Sequence, residues 1–276
     1  MFPRNIIEDN LPEITDAQVA HYTRIGTLCH FLPHENAGWS SAWATPVQFL
    51  NDRMELALGL KTLYEAANGS LKSESKIISI VAELQTGWGQ LETDAFQMSF
   101  SGNPDELGQW RGYASNGMGC SVVTDVKSLH EVADVAGWVL YDENEQKEFA
   151  RKVLSNLLEV TDNGLIEQVL IAAACFMKHK GFQSEKEFRL IHFPDLTRVK
   201  FRESGERLVP YFDFLAESKN RLPISSIIIG PGWQLPDISS DKWKKNTVVL
   251  GIRRLLNARG LHAVDIVPSA IPYDPK

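Results

Sequence analysis

A chain of 276 residues, 43% hydrophobic and 23% charged, can bury a substantial core and is too apolar to stay disordered. Its net charge of −7 works against indiscriminate binding to DNA, RNA or an anionic membrane, although a local basic groove is not excluded. The three cysteines, Cys29, Cys120 and Cys175, are too few and too far apart for a disulfide scaffold or a zinc site and fit a reducing compartment.

The first residues lack an apolar signal core and no run approaches membrane-spanning length, so a cytoplasmic protein without membrane association is expected. Residues 19–23 read as a strand and residues 25–32 have helical spacing. Thr45 before Pro46 reads as an N-cap and first helical position, opening a helix through Val47, Phe49, Leu50, Met54, Leu58 and Tyr64 that ends at Asn68-Gly69. A further helix covers about residues 74–84, and residues 95–100 and 119–124 read as strands around turn-rich segments. Residues 143–160 and 165–178 read as paired helices, followed by strands at 187–192, 208–212 and 224–229. A helix over 241–259 and a strand at 263–267 close the pattern. Helices grouped between sets of strands, without βαβ alternation, predict an α+β fold, here a single domain with a helical insertion around residues 143–180.

Two stretches carry most of the candidate chemistry. Residues 98–123 gather Ser99, Ser101, Asp105, Gln109, Trp110, Arg111 and Tyr113, a mixture suited to a polar ligand pocket. In residues 184–191 Glu185, Glu187 and Arg189 recur at period two, so that on a strand they share one face and Lys186, Phe188 and Leu190 the other. Carboxylates so placed repel unless Arg189, Lys178 or Lys180 intervenes, and one of them can have a raised pKa. Such a pair suits general acid–base catalysis or stabilisation of developing positive charge. The alternative is a solvated strand face with a weak Glu–Arg pair.

Ser99 and Ser101 also share a face, where they either orient a carboxylate or ribose hydroxyl or merely line a half-exposed strand; Met98 and Phe100 are left for the core. Trp110 and Tyr113, three apart on a short helix, are placed on one side as stacking rings or as core anchors. Arg111 points elsewhere and offers a planar fork for phosphate or carboxylate. His21 and Thr23 share a face of the first strand, with the imidazole either a ligand contact or a satisfied structural group. Asn51-Asp52 is a helix break or a contact, and Lys242, Lys244 and Lys245 read as a solvated helix face. Cys120 and Cys175 read as buried thiols. Gly230-Pro231-Gly232 lacks Walker spacing and its lysine and reads as a turn. Nothing among the histidines and cysteines has metal-ligand spacing, so no metal is expected.

The ordered pieces His21-Tyr22-Thr23, Phe49 to Glu55, Ser99-Phe100-Ser101, Trp110 to Ala114, Glu185 to Leu190 and Ile224 to Pro231 resemble a bacterial family known as domain of unknown function 2971. A more distant resemblance is to ADP-ribosyltransferases, which implies a mixed, split β-sheet core with flanking helices and NAD as co-substrate. Carried over, that resemblance gives Glu187 the oxocarbenium-like ribose, with Glu185 and Ser99 as its catalytic partners. His21 would meet the adenosine-side ribose, Ser99 or Ser101 would support the carboxylate, and Tyr22 or Tyr113 would stack on nicotinamide, with Thr23, Ser101 and Trp110 also counted as cofactor-binding. Arg111 would hold the pyrophosphate, and Arg189 is counted with the residues that bind the cofactor. The expected activity is ADP-ribosylation of a macromolecule, protein or nucleic acid, by a toxin or antiphage-defence effector that has an antitoxin or regulatory partner. A non-catalytic nucleotide-sensing module and a hydrolase using Glu185 and Glu187 are the alternatives.

Overall fold

The structure, a computed structural model, describes residues 2–15, 17–33, 38–50, 54–72, 75–87, 94–233 and 246–274. In chain order these form α1 (Asn5–Glu8), β1 (Gln18–Thr23), α2 (Leu28–Phe31), β2 (Trp43–Pro46), α3 (Met54–Ser70), α4 (Lys76–Gly87), β3 (Phe96–Ser101), α5 (Leu107–Tyr113), β4 (Cys120–Asp125), α6 (Val126–Val132) and β5 (Val135–Trp138). They continue with α7 (Glu143–Asn156), α8 (Asn163–Ala174), β6 (Glu187–His192), β7 (Lys200–Ser204), β8 (Arg207–Asp213), α9 (Phe214–Ser218), β9 (Ile224–Ile229), α10 (Thr247–Ala258) and β10 (Asp265–Pro268). The fold is α+β with mixed strand pairing, as the grouping of helices and strands predicts. Among the described residues no helix is long and apolar enough to cross a membrane.

The chain divides into two units. The first comprises Met1–Ile14, Trp43–Met98 and Ala133–Phe212; the second comprises Thr15–Ala42, Ser99–Val132 and Asp213–Lys276. Each is therefore assembled from three separated stretches, and the division falls inside β3, where no linker-like sequence marks it.

In the first unit, α3, α4, α7 and α8 enclose an apolar core to which α1 adds Ile6 and Ile7. Helix α8 is fully buried from Val169 to Ala174, which explains its near-continuous apolar sequence. Both long helices of the predicted pair start on aspartate caps. Asp142 accepts from the amides of Asn144 and Glu145, and Asp162 from that of Leu165, so each cap satisfies one or two of the free N–H groups of the first turn. Close approach of α3 and α8 requires Gly59, because a Cβ there would lie 2.3 Å from the carbonyl oxygen of Ala174. Since that oxygen belongs to helix backbone and cannot swing aside, Gly59→Ala is expected to lower the stability of the protein by about 1–3 kcal/mol, read from the urea midpoint.

The strand partners in this unit are β5 with β6, antiparallel from Val135↔Ile191 to Trp138↔Phe188, and β7 with β8. Thr45 and Pro46 depart from expectation: they pair with Gln97 and Phe96 as β2, and the long helix begins only at Met54. Pairing with β3 outweighs the local capping preference, and Pro46 stands at the strand's last position, where its missing N–H is tolerated. Asn51 and Asp52, as well as Lys242, Lys244 and Lys245, lie outside the described residues.

In the second unit β1 pairs antiparallel with β4, β4 antiparallel with β9, and β9 parallel with β10. Ser115, Asn116 and Gly117 all have positive φ, so the chain reverses sharply between α5 and β4. Gly230-Pro231-Gly232 is the turn its composition predicts. Its amides at Gly230 and Gly232 donate to the carbonyls of Gly119 and Gly117, and a Cβ at Gly230 would lie 2.2 Å from the Gly117 oxygen. Cys120 and Cys175 are buried free thiols, as predicted, and burial pushes each up to about 12.

Candidate functional site

In the first unit, strand β6 is buried at every position, so its charges have no solvated face to occupy. Glu187 and Arg189, two residues apart, project to the same side, while Phe188 packs edge-on against Trp138. The Arg189 guanidinium is 2% exposed and its fork is fully engaged. Its Nε donates to Glu187 Oε2 at 2.8 Å, Nη1 to the Cys175 carbonyl at 2.5 Å, and Nη2 to Glu55 Oε2 at 2.6 Å and to Glu187. Lys178, 3% exposed, stands among the glutamates, with Nζ 2.7 Å from Glu55 Oε1, 2.5 Å from Glu185 Oε2 and 3.4 Å from Glu187 Oε2. Phe182 covers its ammonium at 4.8 Å. Glu55 thus bridges both cations.

Local structure holds these groups in place. The Gln146 amide donates to the carbonyls of Leu140 and Lys178 at 2.8 Å each, fixing the backbone that presents Lys178. The Glu187 amide donates to the Tyr141 hydroxyl at 2.9 Å, and burial pushes that phenol up to about 12. Glu185 does not share the strand with Glu187. It ends the 3-10 turn Lys180–Glu185, and Lys186, at φ +43, turns the chain into β6. Period-two alternation therefore gave Glu185 the right neighbours by the wrong geometry: it reaches Lys178 from outside the strand.

Among the described residues, three carboxylates face two cations here, one carboxylate in excess. The glutamate side chains remain 11–15% exposed while the cations are closed off. Burial raises the Glu185 carboxyl above its ordinary value, an effect that Lys178 offsets only in part. Burial alone would raise Glu55 too, but the Arg189 and Lys178 charges hold it below the usual carboxylate range. Burial alone would lower the Lys178 ammonium, but Glu187 and Glu55 keep it above its ordinary value. Two neighbouring carboxyls thus shift in opposite directions, the arrangement from which acid and base roles are built. Among the described residues no group of three or more His, Cys, Asp or Glu side chains is placed to hold a metal ion.

The remaining predicted residues lie in the second unit. His21 Nδ1 lies 3.0 Å from the Ser99 carbonyl oxygen, which can only accept, so Nδ1 carries the proton. Phe31 and Phe100 flank the imidazole, and burial lowers its pKa. The contact to Ser99 is made through the serine backbone. The Ser101 hydroxyl accepts from the Asn103 amide at 3.1 Å, and Thr23 is buried.

Trp110 is fully buried and meets Tyr22 edge-on, with ring centroids 4.8 Å apart. Its Nε1 donates to Asp105 Oδ1 at 2.7 Å. The Tyr22 hydroxyl donates to the Asn103 carbonyl and accepts from the Glu106 amide, at 2.6 and 2.8 Å. Both rings serve as core anchors, one of the two readings the sequence offers for Trp110. Tyr113 departs from the expected shared side: it ends α5 with 47% exposure, next to the exposed Arg111.

Glu55 is the member of the charge cluster that period-two reasoning overlooked, since it comes from the first turn of α3, far from β6 in sequence. A family model described as a protein of unknown function, DUF2971, matches residues 109–190. That span contains Lys178, Glu185, Glu187 and Arg189 and excludes Glu55, His21, Ser99 and Ser101. No curated protein and no solved structure matches the chain.

Proposed function

We propose that the protein cleaves the N-glycosidic bond of NAD and transfers the ADP-ribosyl group to a macromolecular acceptor. The observation that supports this reading is the carboxylate excess around Lys178: Glu55, Glu185 and Glu187 present partly exposed oxygens around cations that are themselves closed off. In the reaction, nicotinamide departs with the bonding electron pair and positive charge develops on the ribose. The carboxylates of Glu55 and Glu187 oppose that charge in a partly desolvated setting, where it counts for more than in water. Glu185, whose raised pKa suits it to proton transfer, takes the proton from the acceptor nucleophile as the new bond to the ribose forms.

Incubation with NAD labelled in its adenylate part, together with cell lysate, tests this. Wild type is expected to release nicotinamide and to label a macromolecule, and Glu185→Gln is expected to lower the rate by about 10²–10⁴ while the protein stays folded. Absence of nicotinamide release by wild type, or equal release by the variant, rejects the reading. Free ADP-ribose as the sole product would transfer the same carboxylates to a hydrolase. NAD raising the melting temperature without turnover would leave a sensing module.

A further inference from the structure

We infer that the β7–β8 hairpin of the first unit is a docking surface for single-stranded nucleic acid, whose part as acceptor rests on the ADP-ribosyl transfer proposed above. Against the net charge of −7, the hairpin and its lead-in carry Arg198, Lys200, Arg202 and Arg207, opposed by Glu203 and Glu206. The turn is tight: Ser204 pairs with Arg207, leaving Gly205, at φ +62, and Glu206 between them. Antiparallel register then sorts the side chains. Lys200 lies opposite Tyr211, Arg202 opposite Val209 and Ser204 opposite Arg207, so Lys200, Arg202 and Arg207 share one face at intervals of about 7 Å. Arg202 lies over the Trp43 ring at 5.7 Å, and Trp43 in turn packs on Tyr211 at 4.5 Å, so the ladder is braced by aromatic rings.

The opposite face presents Phe201 and Leu208, 61% and 67% exposed, with Glu203 between them in register. Among the described residues strand β7 ends the order of paired strands, so an extended chain laid along its edge meets cations from one face and the Phe201 ring from the other. Phosphates need the first and unstacked bases the second. A lipid surface would need the cations and the apolar side chains on the same face. An acidic peptide would use the cations and leave the exposed ring idle.

The probe is a fluorescein-labelled oligothymidylate of about 20 nucleotides, followed by anisotropy across a salt series without NAD. Wild type is expected to bind at low salt. Lys200→Glu combined with Arg207→Glu is expected to weaken binding at least tenfold and to flatten the logarithmic salt slope by about 2. Phe201→Ala is expected to weaken binding several-fold at unchanged slope. All three positions are exposed, so circular dichroism and melting should match wild type. Absence of wild-type binding, an unchanged slope in the charge-reversed variant, or equal retention by polyglutamate or anionic vesicles overturns the assignment. Because the probe needs no turnover, failure here is distinct from failure of NAD cleavage: Glu185→Gln is expected to bind the oligonucleotide like wild type even where it has lost nicotinamide release.

Discussion

Arg189→Met is expected to destabilise the protein by about 3–5 kcal/mol, seen as a large fall in the urea midpoint or as loss of soluble product. Methionine keeps only the inner part of the stem, so the cost combines the lost ion pairs and hydrogen bonds with the void left by the buried guanidinium. Glu55 and Glu187 lose the guanidinium that each accepts from, and the Cys175 carbonyl loses its 2.5 Å donor. Lys178 alone then faces three carboxylates within a wall of buried side chains. Arg189→Lys should fall between the two, because it restores the charge without the fork that reaches three acceptors at once. The pH dependence carries a definite sign. The folded-state pKa of Glu55 lies below its ordinary 4.5, so its contribution to stability is complete above that value and is lost as pH falls through the depressed one. Arg189 supplies much of that depression, so the difference between wild type and variant should narrow below about pH 4.5. A constant difference down to the lowest pH at which the protein stays folded would mean that Arg189 acts by packing and its bond to the Cys175 carbonyl, not through Glu55.

Trp110→Ala is expected to cost about 3–5 kcal/mol through the second unit, again in urea or thermal unfolding. The indole is fully buried against Ala20, Tyr22, Ala114, Val123 and Ile228, so truncation leaves a cavity that sheet strands cannot collapse to fill. It also removes the donor to Asp105, whose other contacts are the Ser269 hydroxyl and the Ala270 amide, both at 2.6 Å. Trp110→Phe separates the two effects: most of the volume stays, the hydrogen bond goes, and a loss of about 1–2 kcal/mol is expected. Equal losses in both variants would assign the whole effect to Asp105 and the C-terminal segment it secures.

How far the sequence could be read depended on what kind of interaction placed each element. Helices with strong internal signals, such as α7 and α8, follow from apolar spacing and aspartate caps. Strand β6 falls on residues 187–192 as predicted, since the alternation from Glu187 to Leu190 runs on into the β-branched Ile191. Thr45-Pro46 failed because its structure is decided by Gln97 and Phe96, some fifty positions away. Short elements without periodicity, β5 and β7 among them, gave no signal at all; their residues become strands only by pairing with β6 and β8. The charge cluster was half legible. Glu187, Arg189 and the intervention of Lys178 follow from like charges needing a counter-charge, but nothing local reveals that Glu55, at the start of α3, completes it. The solvated-face alternative fails because β6 is covered on both sides.

The interleaving of the two units bears on how the protein is born. A ribosome delivers residues in order, yet the first unit lacks its last strand until Phe212 has emerged, and the second needs β9 and β10 before β4 has a neighbour on that side. Neither unit can be completed early and set aside while the other is synthesised. Much of the apolar surface of the nascent chain must therefore wait for late arrivals, which favours slow, non-local closure and dependence on chaperones. It also means that no single cut, by protease or by gene truncation, releases either unit whole.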